Sequence, residues 1–174
     1  MTDCEVNKSL VSDTKDDSEY TLLPATGLYD PRASDAGRAL LQLFHDRTGG
    51  ERLLKRSDFS PVDLKPFLVN IVIMDVVYGD DGLICDGIVR LMGSGLSAFY
   101  GEYTGRSILL HPSSSGERFI VGARMAVENQ CSIIGTAMQA VPNRPLYQIA
   151  TCMTPVVDED GKVVQMLGHV QLFT

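Results

Sequence analysis

The hydrophobic pattern of the chain begins with two predicted helices. A first helix starts after Ser34, which suits the N-cap position, and ends at Gly49, which suits the C-terminal cap. Ser60 and a proline in the first turn predict a second, short helix over 61–67. The first helix also carries apolar residues at helical spacing, namely Ala36, Ala39, Leu40, Leu43 and Phe44.

The middle of the chain then changes from strands to helices. Residues 71–78 are rich in β-branched side chains and are followed by a Gly-Asp-Asp-Gly turn, so they predict a strand that pairs with a second strand over 83–92. A short helix is predicted over 93–100. A longer helix is predicted over 113–130, with serines at 113–115 as caps and apolar residues at helical spacing.

Three long strand-like runs, at 132–141, 146–157 and 163–173, occupy the C-terminal third. An Asp-Gly pair at 160–161 is a strong hairpin signal between the last two runs. In the last run, alternate positions place on one face Val164, Met166, Gly168, Val170 and Leu172. The whole pattern predicts an α+β domain whose sheet has one clearly apolar face.

Residues 1–33 are predicted to form an acidic, flexible tail ahead of a domain over 34–174. The first 20 residues contain six acidic and two basic side chains, and so carry −4 of the net charge of −7. Such a segment has little apolar surface to offset the entropy of its chain. The rest of the chain is close to neutral, which argues against nucleic acid as a partner because phosphate binding needs clustered Lys and Arg.

The chain has four widely spaced cysteines, Cys4, Cys85, Cys131 and Cys152. They lack the spacing of zinc ligands and are more typical of small buried hydrophobic residues. The longest apolar stretch, 67–77, is interrupted by Asn70 and Asp75 and is too short to span a bilayer. Free thiols without a signal peptide predict a cytoplasmic protein with no membrane partner.

Three local motifs add a resemblance to this pattern. The segment 57–77, SDFSPVDLKPFLVNIVIMDVV, resembles the beginning of a bacterial family of PAS-like domains. The segment 89–94, VRLMGS, resembles that family's Arg-Leu-x-Gly-Thr strand end, with Ser94 in place of Thr. The segment 100–108, YGEYTGRSI, resembles the part in which Thr-Gly-Arg follows the short helix. The predicted order of elements is also similar to that of a PAS domain.

The resemblance covers residues 34–173 and implies a PAS-like, five-stranded antiparallel sheet with helices on one face, plus an N-terminal flanking helix. It implies a sensory or regulatory role through a small ligand or a protein partner, and it brings no catalytic residues. PAS-like domains also often pair through a flanking helix. The apolar stripe of the first helix therefore indicates either packing on its own sheet or a homodimer.

Six residues are candidate ligand contacts: Arg90, Ser94, Arg106, His111, Arg124 and Tyr147. Arg90 stands in an otherwise apolar strand, where a guanidinium directed into a cavity would bind a carboxylate or phosphate through two hydrogen bonds. The alternative for Arg90 is an ion pair with Asp75 or Asp86. Arg106 lies in a Thr-Gly-Arg turn, and Arg124 lies on the long helix, where exposure to solvent is the alternative reading.

Haem and covalent flavin are not expected as cofactors. PAS-type haem sensors carry their axial histidine on the long helix, and 113–130 contains no histidine. Flavin-binding photosensor relatives carry an Asn-Cys pair beside the Gly-Arg motif, whereas Ser107 and Ile108 follow that motif here, so no thiol is present to form the adduct. The expected cofactor is therefore none, or an unknown small ligand.

Two functional hypotheses remain open. The first is a single-domain PAS-like sensory protein that binds a small ligand, an unknown protein partner or both, without catalysis of its own. The second is a small α+β enzyme with a cavity, in which Arg90, His111 and Tyr147 converge on a small organic substrate. No nucleophile elbow, phosphate-binding loop or dinucleotide motif supports the second hypothesis.

Overall fold

The computed structural model of the protein describes residues 20–25, 30–139 and 147–173. In these ranges the α-helices are α1 (Asp35–Thr48), α2 (Pro61–Leu64), α3 (Ser94–Tyr100) and α4 (Ser115–Asn129). Short 3-10 helices occupy Arg56–Asp58, Lys65–Asn70 and Ile108–Leu110. The strands are β1 (Tyr20–Pro24), β2 (Leu54–Lys55), β3 (Ile71–Tyr78), β4 (Ile84–Met92), β5 (Ile133–Gln139), β6 (Tyr147–Val157) and β7 (Val163–Phe173).

The caps predicted from the sequence define the first two helices. The hydroxyl of Ser34 accepts a hydrogen bond from the N–H of Gly37 at 3.0 Å, and Gly49 takes the left-handed conformation that ends α1. Ser60 and Asp63 form a reciprocal capping box at the start of α2. Both helix predictions are therefore confirmed, with the second helix continuing as a 3-10 turn rather than an α-helix.

The five predicted strands form one antiparallel sheet in the order β5-β6-β7-β3-β4. β3 and β4 make one hairpin, and β5, β6 and β7 make a meander. The two units are joined where β3, the first of the five strands, pairs with β7, the last. This arrangement confirms the predicted α+β class and the PAS-like fold.

Two further strands extend the sheet beyond the prediction. β1 pairs antiparallel with β5 at one edge, and β2 makes a two-residue parallel pairing with β6. In the structure Tyr20–Pro24, which the sequence pattern placed in the predicted tail, form a strand of the sheet. Residues 1–19 and 26–29 lie outside the described residues, and the domain boundary at 34 stays a prediction. Leu22 explains the docking of β1, because it packs against the core and fits over Gly135, where a Cβ would lie 2.7 Å from its Cδ2.

Both faces of the sheet are covered by apolar contacts. The α4-side core joins helix α4 to alternate residues of the strands, among them Val72, Met74 and Met166. The α1-side core joins α1 and α2 to the intervening residues, among them Ile71 and Leu167. The prediction of a single clearly apolar face is wrong, because α1 covers the second face with apolar contacts. The sequence pattern does not show this contact.

The apolar stripe of α1 packs against the protein's own sheet. Leu40, Leu41 and Phe44 are buried, and Leu40 and Phe44 belong to the α1-side core. An added Cβ at Gly37 would make an ordinary contact of 3.5 Å with the Cβ of Cys152, and its tighter contact would be 3.2 Å to Oγ of the capping Ser34. Of the two readings of the stripe, the structure shows packing within the domain.

The cysteines differ from one another in bonding. Cys85 is disulfide-bonded, whereas Cys131 and Cys152 are free thiols. Burial raises the pKa of Cys152 to about 12, so this thiol stays protonated. The expectation of free thiols thus fails at Cys85, and the cytoplasmic location inferred from it remains a prediction. Across the described ranges, no helix is long and apolar enough to cross a membrane.

Gly93 allows the chain to pass from β4 into α3 in very close contact with neighbouring backbone. Its N–H donates to the carbonyl of Ile71 at 2.8 Å, and an added Cβ would lie 2.1 Å from the carbonyl oxygen of Leu68. We expect Gly93→Ala to destabilise the fold by about 3 kcal/mol, because backbone on both sides must shift. Urea unfolding measures this change.

Gly105→Ala is the matched control for that substitution. Gly105 has a positive φ of 81° but no atom within 4 Å of an added Cβ. Its replacement should cost only about 1–2 kcal/mol, the penalty of a left-handed backbone for an L-residue. Equal losses of stability in the two variants would contradict the close-approach explanation for Gly93.

His169 is a buried histidine on the α1 side of the sheet. It is 2% exposed, its ring lies edge-on to Phe67 with centroids 6.2 Å apart, and its Nδ1 has no hydrogen-bond partner among the described residues. Burial lowers the pKa of His169 below its ordinary value of about 6.5. Below that pH the unfolded chain binds a proton before the folded protein does, so folding stability is lost as the pH falls.

We therefore expect His169→Leu to reduce the drop in Tm between about pH 7.5 and about pH 5.5, because the variant removes one group that resists protonation when folded. Thermal melts at the two pH values measure the effect. His45→Gln, at an exposed site near the end of α1, is the control and should retain the full drop. A drop in His169→Leu as large as in the unmodified protein would contradict the assignment.

Candidate functional site

A cavity of about 120 Å³ lies between the sheet and the helices α3 and α4. The sheet supplies apolar side chains that alternate toward this face, namely Val72, Met74, Ile149, Met153 and Val170. The helical side is closed by Leu96 of α3, Ile108 of the 3-10 turn and Phe119 of α4. Most of the cavity wall is therefore apolar.

Strand β1 forms part of the wall. Tyr20 and Leu22 line the cavity, and they are two residues apart, as expected for side chains on one face of a strand. Tyr20 is 44% exposed and Leu22 is half-buried, so Tyr20 marks the side on which the cavity meets the surface. The cavity is thus complete only with a segment that the sequence pattern assigned to a tail.

Polar groups gather where the 3-10 turn leads into α4. His111 Nδ1 accepts hydrogen bonds from the N–H of Ser113 at 3.1 Å and from its hydroxyl at 2.7 Å. Since a backbone N–H can only donate, Nδ1 carries no proton, and Nε2–H donates to the carbonyl of Tyr100 at 3.2 Å. Burial lowers the pKa of His111, against an opposing effect of the hydrogen bond to the Tyr100 carbonyl and with a smaller lowering by the Arg118 charge, so the ring is neutral at physiological pH.

Tyr100 and Arg118 complete this polar end. Burial raises the pKa of Tyr100 to about 12, against a smaller opposing effect of the Arg118 charge, so the phenol keeps its proton. Arg118 donates from Nη2 to the hydroxyl of Ser114 at 2.7 Å, and its guanidinium lies 5.7 Å from the centre of the Tyr20 ring. The polar end thus combines neutral hydrogen-bonding groups with one cation.

His111 is the one predicted ligand contact that lines this cavity. Arg90 instead forms an ion pair with Asp75, which also accepts from the amide of Gln165 at 2.8 Å. The register between β3 and β4 shifts at this point, so Arg90 is not paired with a residue of β3. The Arg90 side chain is 60% exposed. For Arg90 the structure therefore shows the ion-pair alternative.

The other four candidates lie outside the cavity wall. Ser94 and Arg106 are exposed, Ser94 in the first turn of α3 and Arg106 in the turn that follows Gly105. Arg124 is half-buried, and its Nε donates to the carbonyl of Ile84 at 2.7 Å, so it ties α4 to β4 rather than facing solvent. Tyr147 packs edge-on against Phe99, with ring centroids 4.8 Å apart.

Sequence reasoning missed Tyr20, Tyr100, Ser115 and Arg118 as cavity residues. A signal for Arg118 was present in the helical period of α4. The buried residues Phe119, Gly122 and Ala126 define the inward stripe, and Arg118 lies four positions before Gly122 on that stripe. Tyr20 had no comparable signal, because its position depends on the pairing of β1 with β5.

The described part of the chain contains no cluster of His, Cys, Asp and Glu that could hold a metal ion. Its fold is PAS-like, in that one antiparallel sheet and a group of helices enclose a small internal space. No family model matches the chain, and no curated protein matches it.

Several solved structures are similar to this fold. A light-oxygen-voltage domain studied with a flavin analogue has 18% identity and a TM-score of 0.46, over 64% of this chain and 82% of that one. The PAS domain of a protein from Colwellia psychrerythraea has 24% identity and a TM-score of 0.43, over 63% of this chain and 92% of that one. An RNA-binding light-oxygen-voltage receptor has 15% identity and a TM-score of 0.49, over 88% of this chain and 38% of that one.

The hydrogen bonds of His111 generate a prediction. We expect Ser113→Ala to raise the pKa of His111, because it removes a hydroxyl donor to Nδ1 that only the neutral ring accepts. An NMR titration of the histidine ring protons measures the shift. Ser132→Ala removes a hydroxyl that bonds Thr154 elsewhere and should leave the His111 titration unchanged. A constant His111 pKa in both variants would show that the Ser113 hydroxyl does not set its charge state.

Proposed function

We propose that the protein is a PAS-like sensory protein that binds a small organic ligand in the cavity and passes the signal on by protein contact. The observation that carries this proposal is the apolar cavity of about 120 Å³ between the sheet and α3 and α4. Interiors of domains are packed to high density and contain few voids larger than a water molecule. A space of this size, with a mostly apolar wall and a few polar groups, is therefore typical of a binding site.

The size of the cavity limits the ligand. Pockets for drug-sized molecules are about 300–1,000 Å³, whereas an apolar cavity of about 150 Å³ is large enough for benzene. The cavity here corresponds to a single ring or a short branched chain. Its apolar wall supplies affinity, and the polar groups around His111 and Arg118 supply orientation.

The size and the lining residues of the cavity do not suit haem or flavin. Both are far larger than one ring, and neither Cys131 nor Cys152 lines the cavity. The two ring nitrogens of His111, the histidine that lines it, are both engaged with protein groups. These features support the expectation that the ligand is neither haem nor a covalently bound flavin.

The lack of a catalytic output is part of the proposal. The enzyme alternative needs Arg90, His111 and Tyr147 at one substrate, but of these only His111 lines the cavity. A general base must also have a nitrogen or oxygen available to accept a proton, and Nδ1 of His111 already accepts two hydrogen bonds. The arrangement of groups supports binding more than proton transfer.

The proposed partners are a second copy of the chain and a downstream protein in the cytoplasm, with neither nucleic acid nor membrane involved. β1 is a suitable element to pass on the signal, because it contributes Tyr20 and Leu22 to the cavity and pairs with the sheet only through β5. A ligand that moves Leu22 would alter the docking of this edge strand.

The proposal predicts that filling the cavity abolishes ligand binding. Val170→Phe places a larger side chain in the cavity wall, and we expect a folded protein that no longer gains Tm from compounds that stabilise the unmodified protein. Leu172→Phe lies two residues along the same face of β7 but outside the wall, and it should keep the response. Thermal-shift screening with single-ring compounds, together with native mass spectrometry, measures both variants.

Two results would contradict the proposal. One is an unmodified protein that gains no Tm from any compound of the screen and carries no small molecule in native mass spectrometry. The other is a folded Val170→Phe variant that binds as well as the unmodified protein.

A further inference from the structure

We propose that the ligand of the cavity is a neutral, single-ring aromatic compound with one hydroxyl or carbonyl group, which forms a hydrogen bond with the hydroxyl of Thr151. This inference rests on the proposed function and specifies the chemistry of the same site. It derives from the position of Thr151 in the sheet, from the hydrogen bonds of the other polar side chains of the wall, and from the apolar side chains around them.

Thr151 faces the cavity from the middle of the sheet. In β6 it stands between Ile149 and Met153, which both line the cavity, and side chains two positions apart share one face of a strand. Its cross-strand partners are Gly135 of β5 and Val170 of β7, and both of these also line the cavity. Thr151 therefore places a hydroxyl among neighbours that have no polar side-chain group.

The Thr151 hydroxyl is available to a ligand. Within the described ranges, no hydrogen bond joins this hydroxyl to another residue. The one fully buried side-chain polar atom without a partner in those ranges is Nδ1 of His169, so the Thr151 oxygen is not sealed in and stays accessible through the cavity. A hydroxyl both donates and accepts, and it therefore suits either a hydroxyl or a carbonyl group of a ligand.

The polar side chains near the start of α4 already have protein partners. His111 uses both ring nitrogens in hydrogen bonds. The hydroxyl of Ser115 is bonded to that of Ser113 at 2.7 Å. Arg118 donates to a serine hydroxyl at 2.7 Å, and its guanidinium packs 5.7 Å from the centre of an aromatic ring. These groups help to orient a ligand, but a direct hydrogen bond to His111 or Ser115 would have to replace an existing one.

Thr136, the second threonine of the wall, has a different orientation. It follows Gly135 in β5 and shares a strand face with Ile134, which packs with Leu41 of α1 on the opposite side of the sheet. Thr136 therefore borders the cavity mainly with its backbone. Of the two threonines, Thr151 is the one whose side chain faces the ligand.

The apolar part of the wall favours an aromatic ring without charge. Three thioethers line the cavity, those of Met74, Met92 and Met153, and sulfur makes favourable contacts with the edge of an aromatic ring. The ring of Phe119 adds a surface for an edge-to-face contact. An ionised group beside Thr151 would be buried among apolar side chains without a counter-ion, which is strongly unfavourable.

The test compares ring compounds that differ by one polar group. The probes are phenol paired with toluene and benzaldehyde paired with styrene, and the measurement is isothermal titration with the full chain at neutral pH. Thr151→Val removes the hydroxyl and keeps the branched shape. We expect this variant to bind phenol or benzaldehyde about fivefold to tenfold more weakly, the net effect of one neutral hydrogen bond. Its affinity for toluene and styrene should stay the same or increase.

Thr21→Val is the matched control, because it makes the same change at an exposed residue of β1 that lies outside the cavity wall. It should leave all four affinities unchanged. Circular dichroism confirms that each variant is folded, and retained binding of toluene by Thr151→Val shows that its cavity is intact.

The outcomes separate the two proposals. An equal change in affinity for the polar and the apolar member of both pairs in Thr151→Val would overturn the hydrogen bond to Thr151 and leave a ligand-binding cavity in place. Tighter binding of benzoate than of benzaldehyde by the unmodified protein would overturn the assignment of a neutral ligand. A protein that binds none of these probes, and none of the single-ring compounds of the thermal-shift screen, would overturn both proposals.

Discussion

The antiparallel pairing of β3 with β7 holds the two halves of the sheet together. It joins the first hairpin to the C-terminal meander through contacts from Ile71 with His169 to Asp75 with Gln165. Because successive side chains of a strand point to opposite faces, this one register decides which residues enter which core. Val72 and Met74 are thereby placed under α4, while Ile71 and Leu167 are placed under α1.

The same register creates the cavity and limits its chemistry. Residues from β3, β5, β6 and β7 meet on one face, but α3 and α4 do not fill the space between them. The 3-10 turn before α4 then brings His111 to the edge of that space and satisfies both ring nitrogens with protein groups. Packing thus supplies an apolar wall, and local hydrogen bonding removes the charge from the histidine. Arg118, on α4, supplies a guanidinium at the same end of the cavity.

The histidines on the two sides of the sheet differ in their hydrogen bonding. Next to the cavity, His111 has partners for both nitrogens and lies beside Tyr100, whose burial also favours its neutral form. Under α1, His169 has no partner for Nδ1 within the described chain and contacts the edge of Phe67. A buried polar group that has hydrogen-bond partners is held in a fixed orientation at little cost in stability, whereas one without a partner lowers the stability of the fold. The cavity side therefore suits binding, and the α1 side carries a cost in stability.

Most elements of this fold could be predicted from the sequence, because their signals are local. Serine caps, the Gly49 stop, the β-branched run of β3 and the period of β7 all act within a few residues. Of the six candidate ligand contacts, His111 lines the cavity and the other five lie elsewhere. Arg90 lies outside the cavity because a bulge in β4 turns it away from the regular alternation, and bulges depend on the partner strand.

The helices, the five central strands and the α+β class could be read from the amino-acid sequence, since these follow from hydrophobic period and capping. Three features are visible only in the folded chain: β1 joins the sheet, α1 covers the second face, and Arg118 and Tyr20 meet beside His111. The physical reason is distance along the chain. Pairing between Tyr20 and Ala137, or packing of Arg118 on Tyr20, depends on contacts between segments about a hundred residues apart, which no local pattern encodes.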